Sequence, residues 1–283
     1  MTHRFVSALA GLLALGFVVP AAAQQRPLNT EDPEAIGAGR VLLEGGIDAA
    51  RKQQYPVSGL TGNLWRVPTI GVSVGLSSIA ELQIDGGLHD RLSITGRKEA
   101  PLASMVTAAG ATTTDVEDIV LATKIRVLSE TPARPAFGIR FATKLPNASN
   151  ESGLGTDTTD FHAVLLGAKT VQSIRIVGNL GVGIMADPTS GSRQNDVLLY
   201  GASFARAMTN AAELVGEVNG RVSTRRGDAF PGTESRGLLR FGGRFTHGPV
   251  RFDGAMFFGL TTVDPTLGFT AGLTYVFNAF TVP

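Results

Sequence analysis

The sequence predicts an all-β protein: an antiparallel transmembrane β-barrel of about 12 strands, with short periplasmic turns and longer extracellular loops. Three observations lead to this prediction. The chain begins with an apolar export signal, and no later apolar stretch is long enough for a membrane helix. The rest of the sequence alternates apolar and polar residues with a period of two. Short and long polar connections take turns along the chain, as they do in outer-membrane barrels.

Composition narrows the class of protein further. The 283 residues include 25 Lys and Arg against 24 Asp and Glu, a net charge of +1, which argues against the basic surface of a nucleic-acid-binding protein. Charged residues make up only 17%, below the roughly 25% of soluble domains. The sequence contains no cysteine, which excludes disulfides, thiolate metal sites and cysteine nucleophiles.

The first residues have the form of a cleaved signal peptide. Arg4 precedes an apolar run over residues 5–19, and Ala21 and Ala23 form the small-residue pattern of a cleavage site. An uncleaved anchor is the alternative, but the run is short for a membrane span. We therefore divide the chain into three parts: a signal peptide (1–23), a periplasmic lead-in segment (24–38) and an outer-membrane barrel domain (39–283).

Period-two alternation identifies the strands. In residues 174–185, Ile176 and Leu180 fall on one face and Arg175 on the other, which fits a two-faced strand and not a helix. Segments of this kind are predicted at residues 40–48, 69–76, 80–94, 118–127, 137–145, 160–170, 174–185, 197–207, 211–223, 235–245, 249–260 and 267–277. The facing of 160–170 and 197–207 is ambiguous.

The lengths of the connections predict which end of the barrel faces the periplasm and which faces the exterior. Tight turns are expected at residues 77–78, 129–135, 171–173, 208–210 and 246–248. Longer polar stretches alternate with them at residues 50–62, 96–114, 147–159, 187–195, 225–234 and 261–266. A soluble periplasmic sandwich, the alternative fold, has no reason to follow this order. The lone Trp65 falls off the apolar face of its strand, so the sequence predicts only a faint aromatic belt.

The last strand carries a sorting motif. Gly272, Tyr275 and Phe277 form a G-x-x-aromatic-x-aromatic pattern, which resembles the signal that ends outer-membrane barrels. It predicts the barrel-assembly machinery as a partner. The alternative is an ordinary amphipathic strand, since aromatic residues are common in strands.

The inward faces of the predicted strands carry charge. Ten side chains are expected to line the lumen: Asp118, Lys124, Arg126, Arg140, Lys144, Glu213, Glu217, Arg236, Arg240 and Arg244. The lysines and arginines of two successive strands would form a basic wall, offset in part by Asp118. Such a wall favours small anionic solutes, for example aromatic carboxylates. The alternative is a ladder of cross-strand ion pairs that only fills the interior.

The lead-in segment allows two interpretations. Asp32, Pro33 and Glu34 have the pattern of a helix start, with Asp as the N-cap and Pro in the first turn. The segment either forms a small plug in the periplasmic mouth or is an ordinary connection to the first strand.

No catalytic site, metal site or cofactor is predicted. After residue 23 the histidines are His89, His162 and His247, no G-x-S-x-G motif occurs, and no cluster has metal-ligand spacing. The favoured function is a channel or transporter for small solutes, in contact with outer-membrane lipid. A structural or adhesive barrel without transport and a lipid-modifying hydrolase are the alternatives.

Several short motifs resemble one family. They are Arg26-Pro27-Leu28-Asn29-Thr30-Glu31-Asp32-Pro33, Gly37-Ala38-Gly39, Glu44, Ile79-Ala80-Glu81-Leu82, Asp118 to Lys124, and Asn179-Leu180-Gly181. In these stretches the chain resembles the MetA-pathway of phenol degradation family. The resemblance implies an exported outer-membrane transporter associated with the breakdown of aromatic compounds.

Overall fold

Nearly all of the chain that the structure describes is strand. The computed structural model describes residues 26–281. Its strands are β1 (Arg40–Tyr55), β2 (Leu60–Gly75), β3 (Ala80–Gly87), β4 (Asp90–Arg97), β5 (Thr112–Asp115), β6 (Val120–Leu128), β7 (Ala136–Lys144), β8 (Asp160–Val171), β9 (Ile174–Ala186), β10 (Gln194–Ala207), β11 (Ala212–Ser223), β12 (Arg236–His247), β13 (Val250–Gly259) and β14 (Leu267–Asn278). A single 3₁₀ turn, Ala103–Met105, lies in a loop between them.

The strands close into one barrel. Except for β3 with β4 and β5 with β6, sequential neighbours pair antiparallel, and β1 pairs both with β2 and with β14, so the sheet closes on itself. β3 and β4 lie end to end against β2, and β6 and β5 lie end to end against them. Each of these two couples counts as one wall strand, which confirms the predicted closed antiparallel barrel of 12 strands.

The wall is irregular at a level where β2 contains one extra residue relative to β1. Gly46 pairs with Thr69 but Asp48 pairs with Arg66, so β2 advances one residue more than β1. At the same level Val67 and Leu88 make the backbone hydrogen bonds that join β2 to the break between β3 and β4. An extra residue reverses which side chains face the interior, because strand side chains alternate with a period of two.

This reversal corrects two facing predictions. Period-two alternation through the predicted segment 80–94 puts Leu92 and Ile94 on the same outward face as Leu82, but above the irregular level Leu92 is 0% exposed and points inward. The sequence also places Trp65 off the apolar face. Trp65 is instead 45% exposed on the outside and packs edge-to-face against Phe269 at 5.7 Å.

The outer surface is apolar around the barrel. Leu82, Phe141, Leu165, Leu180 and Phe245 are each between 44% and 61% exposed. The two ambiguous segments follow the same rule, since β8 turns Phe161 outward and Leu166 inward, while β10 turns Leu198 outward and Val197 inward. A water-facing protein rarely exposes so much apolar side chain, whereas a wall in contact with lipid must.

Connection lengths separate two rims. On the short-turn rim, which also holds the start of β1 and the end of β14, the shortest connections are residues 172–173 and 248–249. The longest loops, residues 98–111 and 145–159, lie on the opposite, long-loop rim. One predicted long loop is wrong: residues 50–62 mostly extend β1 and β2, leaving only 56–59 as a turn. Their polar composition suggests a loop, but strands that project beyond lipid can be polar.

The predicted signal peptide, residues 1–23, lies outside the described residues. Within residues 26–281, no helix is long and apolar enough to cross a bilayer.

Candidate functional site: the occupied lumen

The inner wall gathers the buried charges of the barrel. Alternation along each strand sends Glu81, Lys124, Glu217 and Arg240 inward, where they are between 0% and 6% exposed. Such groups persist in a barrel interior only when each charge has a partner. Most of those partners come from one short stretch of chain.

Residues 26–39, here called the N-terminal segment, lie inside the barrel. The segment meets the wall at the short-turn rim, where the Gly39 N–H donates to the Gly75 carbonyl at 2.9 Å and the Gly39 carbonyl accepts from Ala279 at 2.9 Å. Gly39 has a φ of 70°, and a Cβ there would lie 1.9 Å from the Phe280 carbonyl oxygen. Only glycine fits where the chain turns from β1 into the bore.

The carboxylates of the segment neutralise the predicted basic wall. Glu31 lies 2.8 Å from the Lys124 ammonium and 3.6 Å from the Arg140 guanidinium. Glu34 pairs with Arg126. The Lys124 side chain is 0% exposed and has a second carboxylate, Glu81, at 3.0 Å. Three of the four basic residues of the predicted wall are thus brought together in ion pairs with the segment, whereas the fourth, Lys144, pairs with Asp118 instead.

An amide network holds this cluster. The Gln83 amide donates to Glu31 and to Glu81, both at 2.9 Å, while its carbonyl oxygen accepts from Arg140 at 2.7 Å. The Ile36 N–H donates to the second oxygen of Glu81 at 2.7 Å. Each carboxylate is therefore held by more than one donor.

The segment contacts β9 through a bidentate ion pair. The Arg175 guanidinium donates to both oxygens of Asp32 at 2.8 and 2.7 Å. Arg175 also pairs with Glu130, in the turn between β6 and β7. Burial alone would raise the pKa of Glu130, but hydrogen bonds from Thr170 and the charge of Arg175 outweigh it and lower that pKa. Glu130 thus stays ionised and anchors the segment to the short-turn rim.

On the opposite wall the segment meets β11 and β12. Glu217 accepts the N–H groups of Asn29 and Thr30 at 2.9 and 2.8 Å and the Thr30 hydroxyl at 2.7 Å. Arg240 lies 2.9 Å from Glu217 and donates to the Pro27 carbonyl at 2.9 Å. A charged cross-strand pair of the kind the sequence suggests therefore serves as a clamp on the segment backbone.

Arg26, the first described residue, contacts the strands on the remaining side of the bore. The Arg26 guanidinium lies 3.4 Å from Asp253 and donates to Thr270 at 2.9 Å and to Thr69 at 3.2 Å. The Arg26 carbonyl accepts from Arg244 at 2.8 Å. From Ile36 to Arg26 the segment therefore contacts wall strands around the bore, from β3 through β6, β9, β11 and β12 to β14 and β2.

Two cavities lie on either side of the segment. A cavity of about 170 Å³ on the long-loop side is lined by Glu31, Arg140, Asn179 and Asn219 among others. A cavity of about 330 Å³ on the short-turn side is lined by Asp32, Glu34, Arg175 and Arg251 among others. Thr30 lines both. The segment therefore lies between two compartments of the bore.

The other predicted lumen residues lie nearer the rims. Lys144 contacts Asp118 at 2.8 Å and Asp160 at 3.5 Å, while the other oxygen of Asp118 accepts two loop N–H groups, so this group ties β7 to the loop that follows it. Arg244 faces Glu213 at 3.5 Å. Arg236 reaches the Gln54 carbonyl at 3.4 Å, near the long-loop rim.

Sequence reasoning leaves a plug and an ordinary connection open, and the segment's position inside the bore agrees with the plug, but that reasoning does not identify the wall residues that hold it. It predicts a helix start at Asp32, but the segment contains no helix, although the Glu34 N–H does donate to the Asp32 carboxylate at 2.9 Å. The N–H groups of Asn29, Thr30 and Ile36 donate to side chains of the wall, where a helix would donate them to carbonyl groups within the segment. The sequence does contain a signal from which the position of the segment could have been predicted. Its acids Glu31, Asp32 and Glu34 precede a barrel whose predicted lumen has an excess of basic residues.

Part of the bore near the long-loop rim is apolar. Ala50, Leu60, Leu64, Leu92 and Phe257 form a buried cluster there. In residues 26–281, no group of three or more His, Asp or Glu side chains is arranged to hold a metal ion.

Comparison with known proteins places the fold. No protein-family model and no curated protein matches the chain. A COG4313 outer membrane channel from Pseudomonas putida F1 is similar in structure, with a TM-score of 0.63 and 13% identity over 87% of this chain and 98% of that one. The NanC porin is also similar, with a TM-score of 0.53 and 7% identity over 83% of this chain and 98% of that one. The chain therefore has the barrel fold of outer-membrane channels and porins.

Proposed function

We propose that this chain is an outer-membrane channel for small solutes, with the N-terminal segment as the element that closes it. The observation that carries the proposal is the segment itself, ion-paired to the wall between two cavities of the bore. The long loops then face the exterior and the short turns the periplasm, as in other outer-membrane barrels. A cleaved signal peptide at residues 1–23 delivers the chain to that membrane.

A solute can pass only when the segment moves. At its present position it separates the two cavities, and three of its carboxylates hold lysine and arginine side chains of the wall. Removing one partner of a buried ion pair costs about 3–5 kcal/mol. The segment therefore leaves easily only if another anion takes the place of its carboxylates.

This requirement favours anionic solutes. Displacing the segment removes Glu31, Asp32 and Glu34, and leaves Lys124, Arg126, Arg140 and Arg175 with fewer counter-charges. The open bore is then more positive than the closed one, and basic side chains in a narrow passage select anions. Small aromatic carboxylates match both this charge and the chain's resemblance to the MetA-pathway family, which supports them as the solute class.

Ion selectivity tests the proposal. In planar bilayers under a salt gradient, the purified barrel should show a reversal potential that indicates anion preference. Arg126→Gln with Arg140→Gln should weaken that preference, because both side chains face the bore. Arg193→Gln, a half-exposed loop residue, is the matched control. A barrel that conducts neither as the full chain nor after deletion of residues 24–36 would support the structural alternative, and a preference untouched by the double variant would rule out the basic wall.

The C-terminal motif gives a separate prediction. Tyr275 and Phe277 stack at 5.5 Å on the outer side of β14, near the short-turn rim. If the assembly machinery reads them, Tyr275→Ala with Phe277→Ala should reduce the heat-modifiable barrel in the outer-membrane fraction several-fold. Phe269→Ala, on the same strand and face, should not. Equal loss in both variants would mean that the pair acts only through packing.

A further inference from the structure

Four basic side chains, here called the rim patch, differ from the luminal ones in having no carboxylate partner. They are Arg51, Lys52, Arg91 and Lys98, all exposed. Within the described part of the chain, none of them forms an ion pair, whereas Lys124, Arg126, Arg140, Arg175 and Arg240 all do. Unpaired cations on one side of a barrel attract an anion from outside it.

The rim patch lies on the outer face at the long-loop rim. Arg91 pairs across strands with Trp65, and residues paired in this way share a face, so Arg91 points outward like Trp65. Arg51 lies two residues beyond Ala49, which sits between Trp65 and Phe269 in the same row. Lys52 and Lys98 lie farther toward the rim.

Two neighbouring β-bulges shape this surface. Ala50 pairs with Leu64 but Gln53 pairs with Gly62, so β1 contains an extra residue at Arg51 and Lys52, and Lys52 has a φ of 55°. A second bulge leaves Thr95 unpaired on β4. Bulges redirect side chains and are common beside functional sites.

The bulges border an open cleft of about 430 Å³. Lys52, Lys98, Gln54, Thr61 and Thr262 are among its lining residues, which offers two ammonium groups among hydroxyl and amide groups. Asp264 also borders the cleft, but its carboxylate accepts from the Gly237 N–H and from Thr261 and is buried. Glu99, next to Lys98, is exposed, whereas Asp90, next to Arg91, is buried and pairs with Arg66.

The level of the patch indicates its ligand. The edge-to-face pair of Trp65 and Phe269 lies beside Arg91 and below the other three residues of the patch, and Trp is enriched where lipid headgroups meet acyl chains. Farther toward the short-turn rim the exposed side chains are apolar, such as Ile70 and Ile84. A molecule that fits both zones has phosphate at the headgroup level and acyl chains beneath it.

We propose that the rim patch binds the phosphate groups of a phosphorylated glycolipid in the outer leaflet. Lysine and arginine clusters at the membrane surface recognise lipid headgroups through their charge. The inference rests on the orientation proposed above, with the long loops outside. It is independent of whether the bore conducts.

Lipid binding in micelles tests this inference. The purified full-length mature barrel, in zwitterionic detergent, is titrated with lipid A carrying its phosphates, with the same lipid after phosphatase treatment, and with inorganic phosphate. Emission of the lone Trp65, beside the patch, reports binding. The phosphorylated lipid should bind at least about tenfold more tightly than the dephosphorylated one.

Variants locate the site. Arg51→Gln with Lys52→Gln, Arg91→Gln and Lys98→Gln should weaken binding of the phosphorylated lipid about tenfold or more. Arg51→Gln with Lys52→Gln, and separately Arg91→Gln with Lys98→Gln, should each lose part of that affinity. Arg206→Gln, an exposed arginine at the short-turn rim, is the matched control. Heat-modifiable gel mobility verifies that every variant is folded.

The possible outcomes separate the two proposals. Equal binding by the four-residue variant, equal binding of the dephosphorylated lipid, or an equal response to inorganic phosphate alone would overturn the lipid site. None of these results bears on conduction. A barrel that binds the lipid but does not conduct would leave the rim patch in place and overturn only the channel.

Discussion

Deletion of residues 24–36 is expected to raise the single-channel conductance of the barrel several-fold. The segment lies between the two cavities, and its removal joins them into one passage. The same deletion removes three carboxylates that pair with wall cations, so the anion preference should increase together with the conductance. Planar-bilayer recordings in a salt gradient measure both quantities on one preparation.

A loop variant controls for the lost negative charge. Glu99→Gln, Glu151→Gln and Asp228→Asn remove three exposed acids outside the bore and should leave conductance and selectivity unchanged. Heat-modifiable mobility verifies that the deletion barrel is folded. Deletion with no effect on conductance would show that the segment does not close the path.

Replacement of Lys124 is expected to have the largest effect on stability. Lys124→Met leaves Glu31 and Glu81 facing each other in the interior without their shared cation, which lay 2.8 and 3.0 Å away. Breaking a buried pair in this way lowers the free energy of unfolding by about 3–5 kcal/mol. Urea unfolding in detergent, followed by the emission of Trp65, measures the change.

Two further variants test the cause of that loss. Lys169→Met removes a rim lysine that is 31% exposed and lies 3.4 Å from Glu130, and should cost only about 0–1 kcal/mol. Lys124→Met combined with Glu31→Gln and Glu81→Gln should recover part of the stability, since the repelling carboxylates are then neutral. Equal losses for Lys124 and Lys169 would mean that the luminal pair is no stronger than a surface one.

The barrel itself could be predicted because its physical cause is local. A strand between lipid and water must alternate, and segments such as 174–185 show that alternation in any context. The inward position of Lys124 or Glu217 follows from the same parity. An extra residue in β2 interrupts this alternation. The side chains of Trp65 and Leu92 therefore point in the direction opposite to the one that the sequence predicts.

The residue pattern alone was enough to predict a closed β-barrel with an apolar exterior and a charged interior, since both follow from a repeat of two residues. It could not determine what neutralises that interior. Glu31 and Lys124 lie 93 residues apart, and Asn29 and Glu217 lie 188 apart. Only the closed barrel brings these pairs together. Desolvation in the bore then makes each buried charge take a partner, and the tertiary structure shows that the N-terminal segment supplies carboxylates to Lys124, Arg126 and Arg175.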